Sequence, residues 1–267
     1  MTKRFYIALA LLVAAPALVF AQQTQSPLTI TVKGVSFNMI RVQGGTFTMG
    51  CTSEQGNDCY GDEKPAHTVT LSTYYIGETE VTQELWKAVM GDNPSYFKSG
   101  SLKRPVENVS WEDCQTFIRR LNELTGKKFR LPTEAEWEFA ARGGTKSAGY
   151  KYSGSNDINA VAWYWKNAGT KGESSPDYGT HVVKTKKPNE LGIYDMSGNV
   201  WEWCSDWCGD YTGATQTNPQ GASSGSNRVY RGGGWYNDAG SCRSSYRNSY
   251  APGLRRNFLG LRLVLIP

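Results

Sequence analysis

Arg130-Leu131-Pro132-Thr133-Glu134-Ala135-Glu136-Trp137-Glu138-Phe139-Ala140-Ala141-Arg142-Gly143-Gly144 is the stretch on which the reading of this chain turns. Directly after Pro132, Thr133 offers a hydroxyl to the free N–H groups of a first helical turn, and Glu136 stands three residues on to reach back, a capping box. The pattern predicts a helix from Thr133 that stops at Gly143-Gly144. Working upstream, Ser110 caps a longer helix with Trp111, Cys114, Phe117, Ile118 and Leu121 at helical spacing up to Gly126. Thr82 caps a shorter one that puts Leu85, Trp86, Val89 and Met90 on one face and ends at Gly91. Further back, Leu28 to Val35 and Phe37 to Met49 alternate apolar and polar residues, which predicts strands joined by a hairpin at Gly44-Gly45. His67 to Ile76 predicts another strand.

Downstream of Thr145 the chain is rich in glycine, asparagine, serine and tryptophan, with only short apolar runs, so turns and short strands are expected. The Leu259 to Ile266 run reads as a buried final strand. Helices in the first half and irregular strands in the second give an α+β class without the alternation of a parallel sheet. The balance of 29 glycines, nine tryptophans and fifteen tyrosines in 267 residues agrees, pointing to ring packing and tight turns rather than long helices.

Lys3 and Arg4 precede an unbroken apolar run from Phe5 to Phe20, followed by Ala21 and a polar stretch. This is the layout of a signal peptide, residues 1–21, with cleavage after Val19-Phe20-Ala21. A membrane anchor is the competing reading, but the run is short of the ~20 residues a span needs and no basic cluster follows it. The expectation is an exported protein, periplasmic or extracellular, without stable membrane insertion. Loss of Lys3 and Arg4 takes the net charge of +5 to +3, spread without a basic block, so nucleic acid is not an expected partner. Export also places Cys51, Cys59, Cys114, Cys204, Cys208 and Cys242 where disulfides form. Cys51 and Cys59 bracket a Gly56-Asn57-Asp58 turn and are expected to pair, and Cys242 is expected to pair with Cys204, with Cys208 competing. Cys114 lies on an apolar helix face and is expected to stay free.

The two histidines, His67 and His181, lie far apart with no carboxylate pattern beside them, which argues against a histidine-rich metal site. No nucleophile elbow, Walker loop or dinucleotide fingerprint appears. Two carboxylates, Asp195 and Glu202, flank the turn Ser197-Gly198-Asn199, with Glu202 between Trp201 and Trp203. Such a turn can supply oxygens to calcium; a turn aspartate and an arginine-paired glutamate explain the same residues without a metal.

The Arg130 to Gly144 stretch resembles the signature helix of the formylglycine-generating enzyme (sulfatase-modifying factor) family. The likeness continues in order through Gly44-Gly45-Thr46-Phe47-Thr48-Met49-Gly50, Glu80-Val81-Thr82 and Pro105-Val106-Glu107-Asn108-Val109-Ser110-Trp111. It resumes at Asn189-Glu190-Leu191-Gly192-Ile193-Tyr194-Asp195-Met196-Ser197-Gly198-Asn199-Val200-Trp201-Glu202-Trp203, Arg231-Gly232-Gly233-Gly234-Trp235 and Leu259-Gly260-Leu261-Arg262. It covers about Phe37 to Val264 and implies one domain, residues 37–267, after an N-terminal extension at 22–36. The implied fold is that family's irregular one, a relative of the C-type lectin fold.

The resemblance implies calcium held by the side chains of Asp195 and Glu202 and the carbonyls of Gly198 and Val200. It also implies an oxidase that binds copper(I) through two cysteines five apart and converts a substrate cysteine to formylglycine. Counted back from Gly260-Leu261-Arg262, that pair falls on Ala239 and Ser244, and neither supplies a thiolate. If Cys242 is the first member, the fifth residue on is Arg247, a fixed cation. The expected catalytic set is therefore empty. The leading expectation is a non-catalytic, calcium-braced module binding a protein or glycan in the cell envelope or a secretion assembly. The alternative is an oxidoreductase relative acting on an unknown substrate.

Overall fold

Three places where the chain changes sheets set this architecture, and two of them touch. The computed structural model describes residues 26–267 together with Thr2; the signal peptide expected at 1–21, Thr2 apart, and its expected cleavage site lie outside the described residues. Strands β1 (Leu28–Val32) and β2 (Val35–Val42) form a hairpin through the positive-φ turn Lys33-Gly34. The segment numbered 22–36 in the sequence reading thus contributes an edge strand to the main sheet. β3 (Gly45–Met49) pairs with β4 (His67–Leu71), while β2 pairs instead with β5 (Tyr74–Gly77). The hairpin expected at Gly44-Gly45 is therefore corrected to a crossover between sheets, and the single strand expected over His67 to Ile76 breaks at Ser72-Thr73 for the same reason. The two crossovers lie against each other. The Gly44 N–H donates to Thr73 Oγ1 at 3.0 Å, and a side chain at Gly44 would meet the Leu71 carbonyl at 2.5 Å, so only glycine fits there.

The helices follow their caps. α1 (Gln83–Met90) starts where Thr82 accepts the Leu85 N–H and stops at left-handed Gly91. α2 (Trp111–Thr125) carries a Ser110/Asp113 capping box and stops at left-handed Gly126. The short strand β6 (Phe129–Arg130) leads into α3 (Glu134–Ala141), whose Thr133/Glu136 capping box is present. Every residue of α3 is buried, which marks a central helix rather than an amphipathic one at the surface. Its three glutamates each meet arginine: Glu134 meets Arg247, Glu136 meets Arg130, and Glu138 meets Arg231 and Arg142. Buried carboxylates need such partners.

After a short helix, α4 (Ile158–Val161), the chain is mostly turns up to β7 (Trp201–Trp207). There follow β8 (Gln216–Thr217), β9 (Arg228–Arg231), β10 (Arg247–Tyr250), β11 (Leu259–Leu261) and β12 (Val264–Leu265). The sheets run β1-β2-β5-β12-β6, β10-β9-β7-β11 and β3-β4-β8. The final strand expected over Leu259 to Ile266 divides at Arg262, so β11 joins β7 in parallel and β12 joins β5 and β6. Between them the buried Arg262 side chain turns to Glu202. Residues alternate along β7: Trp201 and Trp203 pack with α1 and α2 in one core cluster, while Cys204 belongs to the cluster beneath α3. The class is α+β, and among the described residues no helix is long and apolar enough to cross a membrane.

Candidate functional site: an aromatic face over a sealed cysteine and an acidic turn

Between β9 and β10 the chain passes through Gly232-Gly233-Gly234, Trp235 and a one-turn helix at Gly240–Cys242. Gly233 has φ +71°, and a β-carbon there would stand 2.7 Å from Cys242 Sγ. The close approach seals Cys242, which is fully buried among Tyr152, Ile158, Val161, Ala162 and Tyr164. Its thiol reaches only the Asp238 carbonyl, at 3.6 Å, and burial pushes it far above the usual thiol range, the opposite of an activated nucleophile. Ala239 packs at the edge of the same cluster. Ser244 is buried: its N–H donates to the Lys151 carbonyl at 3.1 Å, and its own carbonyl accepts from Arg231 at 3.2 Å.

Cys204 and Cys242 are both free and buried, so the expected pairing of the two is corrected. Strand alternation on β7 turns Cys204 toward α3, whereas the one-turn helix turns Cys242 toward Tyr152 and Tyr164. Cys208 is free as well, and Cys114 is free and buried as expected. Cys51 and Cys59 form a disulfide with Cα atoms 5.9 Å apart. The loop it closes is anchored by Arg243, which donates to the Asp58 carbonyl at 3.2 Å and, just past the loop, to both Glu63 carboxylate oxygens at 2.7 Å. A spacing of five also runs backwards from Cys242 to Asn237, whose Oδ1 accepts the Trp201 Nε1–H at 2.8 Å. No counting of the segment yields a thiolate pair.

The same segment carries an aromatic face that the linear sequence does not announce. Trp235 is buried and packs edge to face with Phe97, Tyr178 and Tyr236, at 5.2, 4.9 and 5.5 Å between centroids. Trp165 meets Tyr236 at 5.2 Å and Tyr96 meets Phe97 at 5.0 Å. The outer rings are open to solvent: Tyr96 is 64% exposed, Tyr236 53% and Trp165 39%. Exposed rings set on a rigid aromatic base offer large contact area at little entropic cost, which suits protein or sugar recognition. Residues 96, 165 and 236 come from three separate loops, so no spacing could have grouped them. Only Trp235-Tyr236 after the glycine run was a local signal.

Next to this face, His181 lies flat on Trp163, 3.6 Å between centroids, and the Lys186 ammonium sits 4.1 Å from the centre of the Trp163 ring. Burial and the nearby Arg104 charge push His181 down to about 4, so it is neutral at physiological pH. The Trp163 carbonyl accepts the Asn199 N–H at 2.8 Å, and a β-carbon at Gly198 would stand 2.3 Å from that carbonyl oxygen. The acidic turn is thereby seated under Trp163.

In the turn itself, Asp195 and Asn199 adopt left-handed backbone. Asp195 is buried, and its Oδ2 accepts the Lys184 N–H at 2.8 Å. Among the described residues, none donates a hydrogen bond to Oδ1 of Asp195 or to the carbonyls of Gly198 and Val200, which fits a hard cation. Glu202 fits less well, because both its oxygens are engaged by Arg262 at 2.7 to 3.0 Å and Oε2 also accepts the Trp137 Nε1–H at 2.6 Å. Ligation by Glu202 requires one of those bonds to yield. Among the described residues no group of three His, Cys, Asp or Glu side chains stands close enough to hold a metal alone, so backbone carbonyls would have to supply part of any shell. Glu80, quoted in the sequence only as part of a motif, is a third acid here. Its oxygens accept from Asn199 Nδ2 at 3.1 Å and the Val200 N–H at 3.3 Å. Burial, then the charges of Asp195 and Glu202, push it well above the usual carboxylate range. Three acids around Arg262, the one cation bonded to any of them among the described residues, leave an excess of negative charge for a proton or a metal to balance, with Lys184 and Lys186 acting on Asp195 only through space.

Comparison with known proteins agrees with this architecture. The sulfatase-modifying factor enzyme 1-like domain family matches residues 29–266. The chain is 37% identical over 298 residues to the chaperone protein LppX of Paenibacillus barcinonensis, covering 95% of this chain and 96% of that one. It is 31% identical over 268 residues to a formylglycine-generating enzyme of Streptomyces coelicolor, covering 79% and 81%. Among solved structures, the Treponema denticola variable protein 1 superposes with a TM-score of 0.79 at 38% identity, over 91% of this chain and all of that one.

Proposed function

We propose that this chain, which belongs to the sulfatase-modifying factor (formylglycine-generating enzyme) family, is an exported, non-catalytic member that uses its aromatic face to bind a protein partner. One observation carries the reading: no pair of thiols stands where the family's oxidase chemistry needs one. The lone cysteine of the segment, Cys242, is sealed and held protonated by burial. The residues at 239 and 244 do not fit copper(I), which two soft thiolates would hold. Similarity along nearly the full length of both chains to a protein named as a chaperone favours a protein over a glycan as partner.

Calcium belongs to the proposal as a brace rather than a reagent. The atoms that would hold it are Asp195 Oδ1 and the carbonyls of Gly198 and Val200, with Glu202 joining if Arg262 releases an oxygen. When bound, the ion offsets the excess charge of Glu80, Asp195 and Glu202 beneath the Trp163 stack.

Photocrosslinking in the native host tests the binding reading. A benzophenone side chain at position 236 is expected to give adducts with a discrete set of proteins, whereas one at the exposed Lys127 is expected to give none. Equal labelling from both positions, or none from 236, contradicts it.

A further inference from the structure

Away from the aromatic face, a cavity of about 320 Å³ opens between β4, the start of α3 and the end of β7. Its lining includes His67, Glu134, Asp206, Tyr211 and Arg247. Most of that polar inventory is already spent. Arg247 donates to Glu134 at 2.7 and 2.8 Å and to the Asp62 and Gly209 carbonyls at 3.2 and 2.9 Å. The Tyr211 hydroxyl donates to Glu134 at 3.1 Å. Of the buried polar side chains in the lining, two keep an unused atom, and each is more than nine-tenths buried.

Asp206 accepts the Glu134 N–H at 2.9 Å and the Ser205 hydroxyl at 3.0 Å, both on Oδ2, leaving Oδ1 without a partner. His67 Nδ1 lies 3.1 Å from the Pro65 carbonyl. A carbonyl can only accept, so Nδ1 carries the hydrogen and the neutral ring presents Nε2 as an acceptor. The free atoms of these two buried side chains are therefore acceptors, while Asp210, Thr212 and Gln216 line the cavity from less buried positions. Among the described residues no cation is bonded to Asp206, although Arg228 and Arg130 lie within range of its charge. Burial and the adjacent Glu134 charge push its carboxyl up to about 7. A buried acid with no cation bonded to it favours whatever brings one. Met49, Trp207 and Ala222 supply an apolar wall along which a short methylene stem can lie.

The geometry points to this cavity as a binding site for a primary ammonium group on a short aliphatic stem, with the ammonium donating to Asp206 Oδ1 and His67 Nε2. A lysine side chain of a partner protein and a free alkylamine share that chemistry. The site is separate from the aromatic face and does not depend on its role.

The chain has two histidines, so the ring proton signals of His67 and His181 can be followed separately by NMR. Titration of the mature protein uses n-butylamine, Nα-acetyl-lysine-N-methylamide and 1-butanol at mildly alkaline pH, where Asp206 is ionised. We expect a saturable shift of the His67 signal by n-butylamine at about millimolar concentration, with His181 unmoved and 1-butanol without effect. Saturation by the lysine derivative as well assigns the site to a protein side chain, and saturation by n-butylamine alone assigns it to a free amine; both support the site. Asp206→Asn should weaken the amine roughly tenfold or more. Equal shifts by amine and alcohol, no saturation by either amine, or unchanged binding in Asp206→Asn overturns the proposal. If that variant does not fold, the amine and alcohol comparison on the unaltered protein decides alone.

Discussion

Arg262 grips Glu202 with Nε to both carboxylate oxygens and Nη2 to Oε1, at 2.7 to 3.0 Å, and both side chains are buried. Arg262 also donates to the Gly77 and Tyr194 carbonyls, at 2.9 and 2.8 Å. One guanidinium therefore joins β7, the end of β5 and the loop leading to the acidic turn. Arg262→Met should leave an uncompensated buried carboxylate and cost about 3–5 kcal/mol. Adding Glu202→Gln to Arg262→Met should recover part of that loss. Urea denaturation of the single and double variants checks both signs.

Chelation should lower the melting temperature of the mature protein, because an ion held only by the folded chain stabilises it by mass action. Asp195→Asn should abolish that sensitivity while leaving the Arg262–Glu202 contact in place. Identical melts with and without chelator contradict the calcium brace.

Glu107 gives a pH dependence of known sign. It is buried, one oxygen accepts the Phe97 N–H at 2.8 Å and the other has no partner. Burial pushes it from about 4.5 up to about 7. Across that window the folded state keeps a proton that the unfolded chain has released, so this group's contribution to stability is lost as pH rises. Glu107→Gln should stabilise by up to about 3 kcal/mol near neutrality and by little in acid, where both forms are uncharged. Denaturant titrations at several pH values measure it.

Peptide mapping without reduction should recover Cys51 and Cys59 as one linked pair. Removing the pair should cost about 2–3 kcal/mol through the freedom returned to the unfolded chain. The buried Cys114, Cys204 and Cys242 should alkylate only after unfolding.

What was legible in the sequence was local chemistry. The hydroxyl caps at Thr82, Ser110 and Thr133 and the stops at Gly91 and Gly126 are set by groups within a few residues, and each appears as read. The Cys51–Cys59 pair spans a sequence separation of only 8 and was legible for the same reason. Sheet changes were not legible. Gly44 and Thr73 fix each other across 29 residues, and alternation looks the same on either side of a crossover. The Cys204 and Cys242 expectation failed because proximity in a motif says nothing about which face of β7 a side chain takes. At the acidic turn, the sequence allowed both a metal and an arginine for Glu202. The arginine came from 60 residues away, and the third acid, Glu80, from 119 residues before its partner Asn199. The aromatic face, from distant loops, and the Asp206 cavity, from β4, α3 and β7, are likewise assembled from parts far apart in the chain.

On the proposed function, this family member keeps the fold without the oxidase chemistry. Mass spectrometry of a Cys-x-Pro-x-Arg peptide incubated with the mature protein, copper and reductant tests it most directly. The cysteine is expected to be recovered unchanged, with no aldehyde product, in the unaltered protein and in Cys242→Ser alike. Robust conversion to formylglycine by the unaltered protein, abolished by Cys242→Ser, would contradict it.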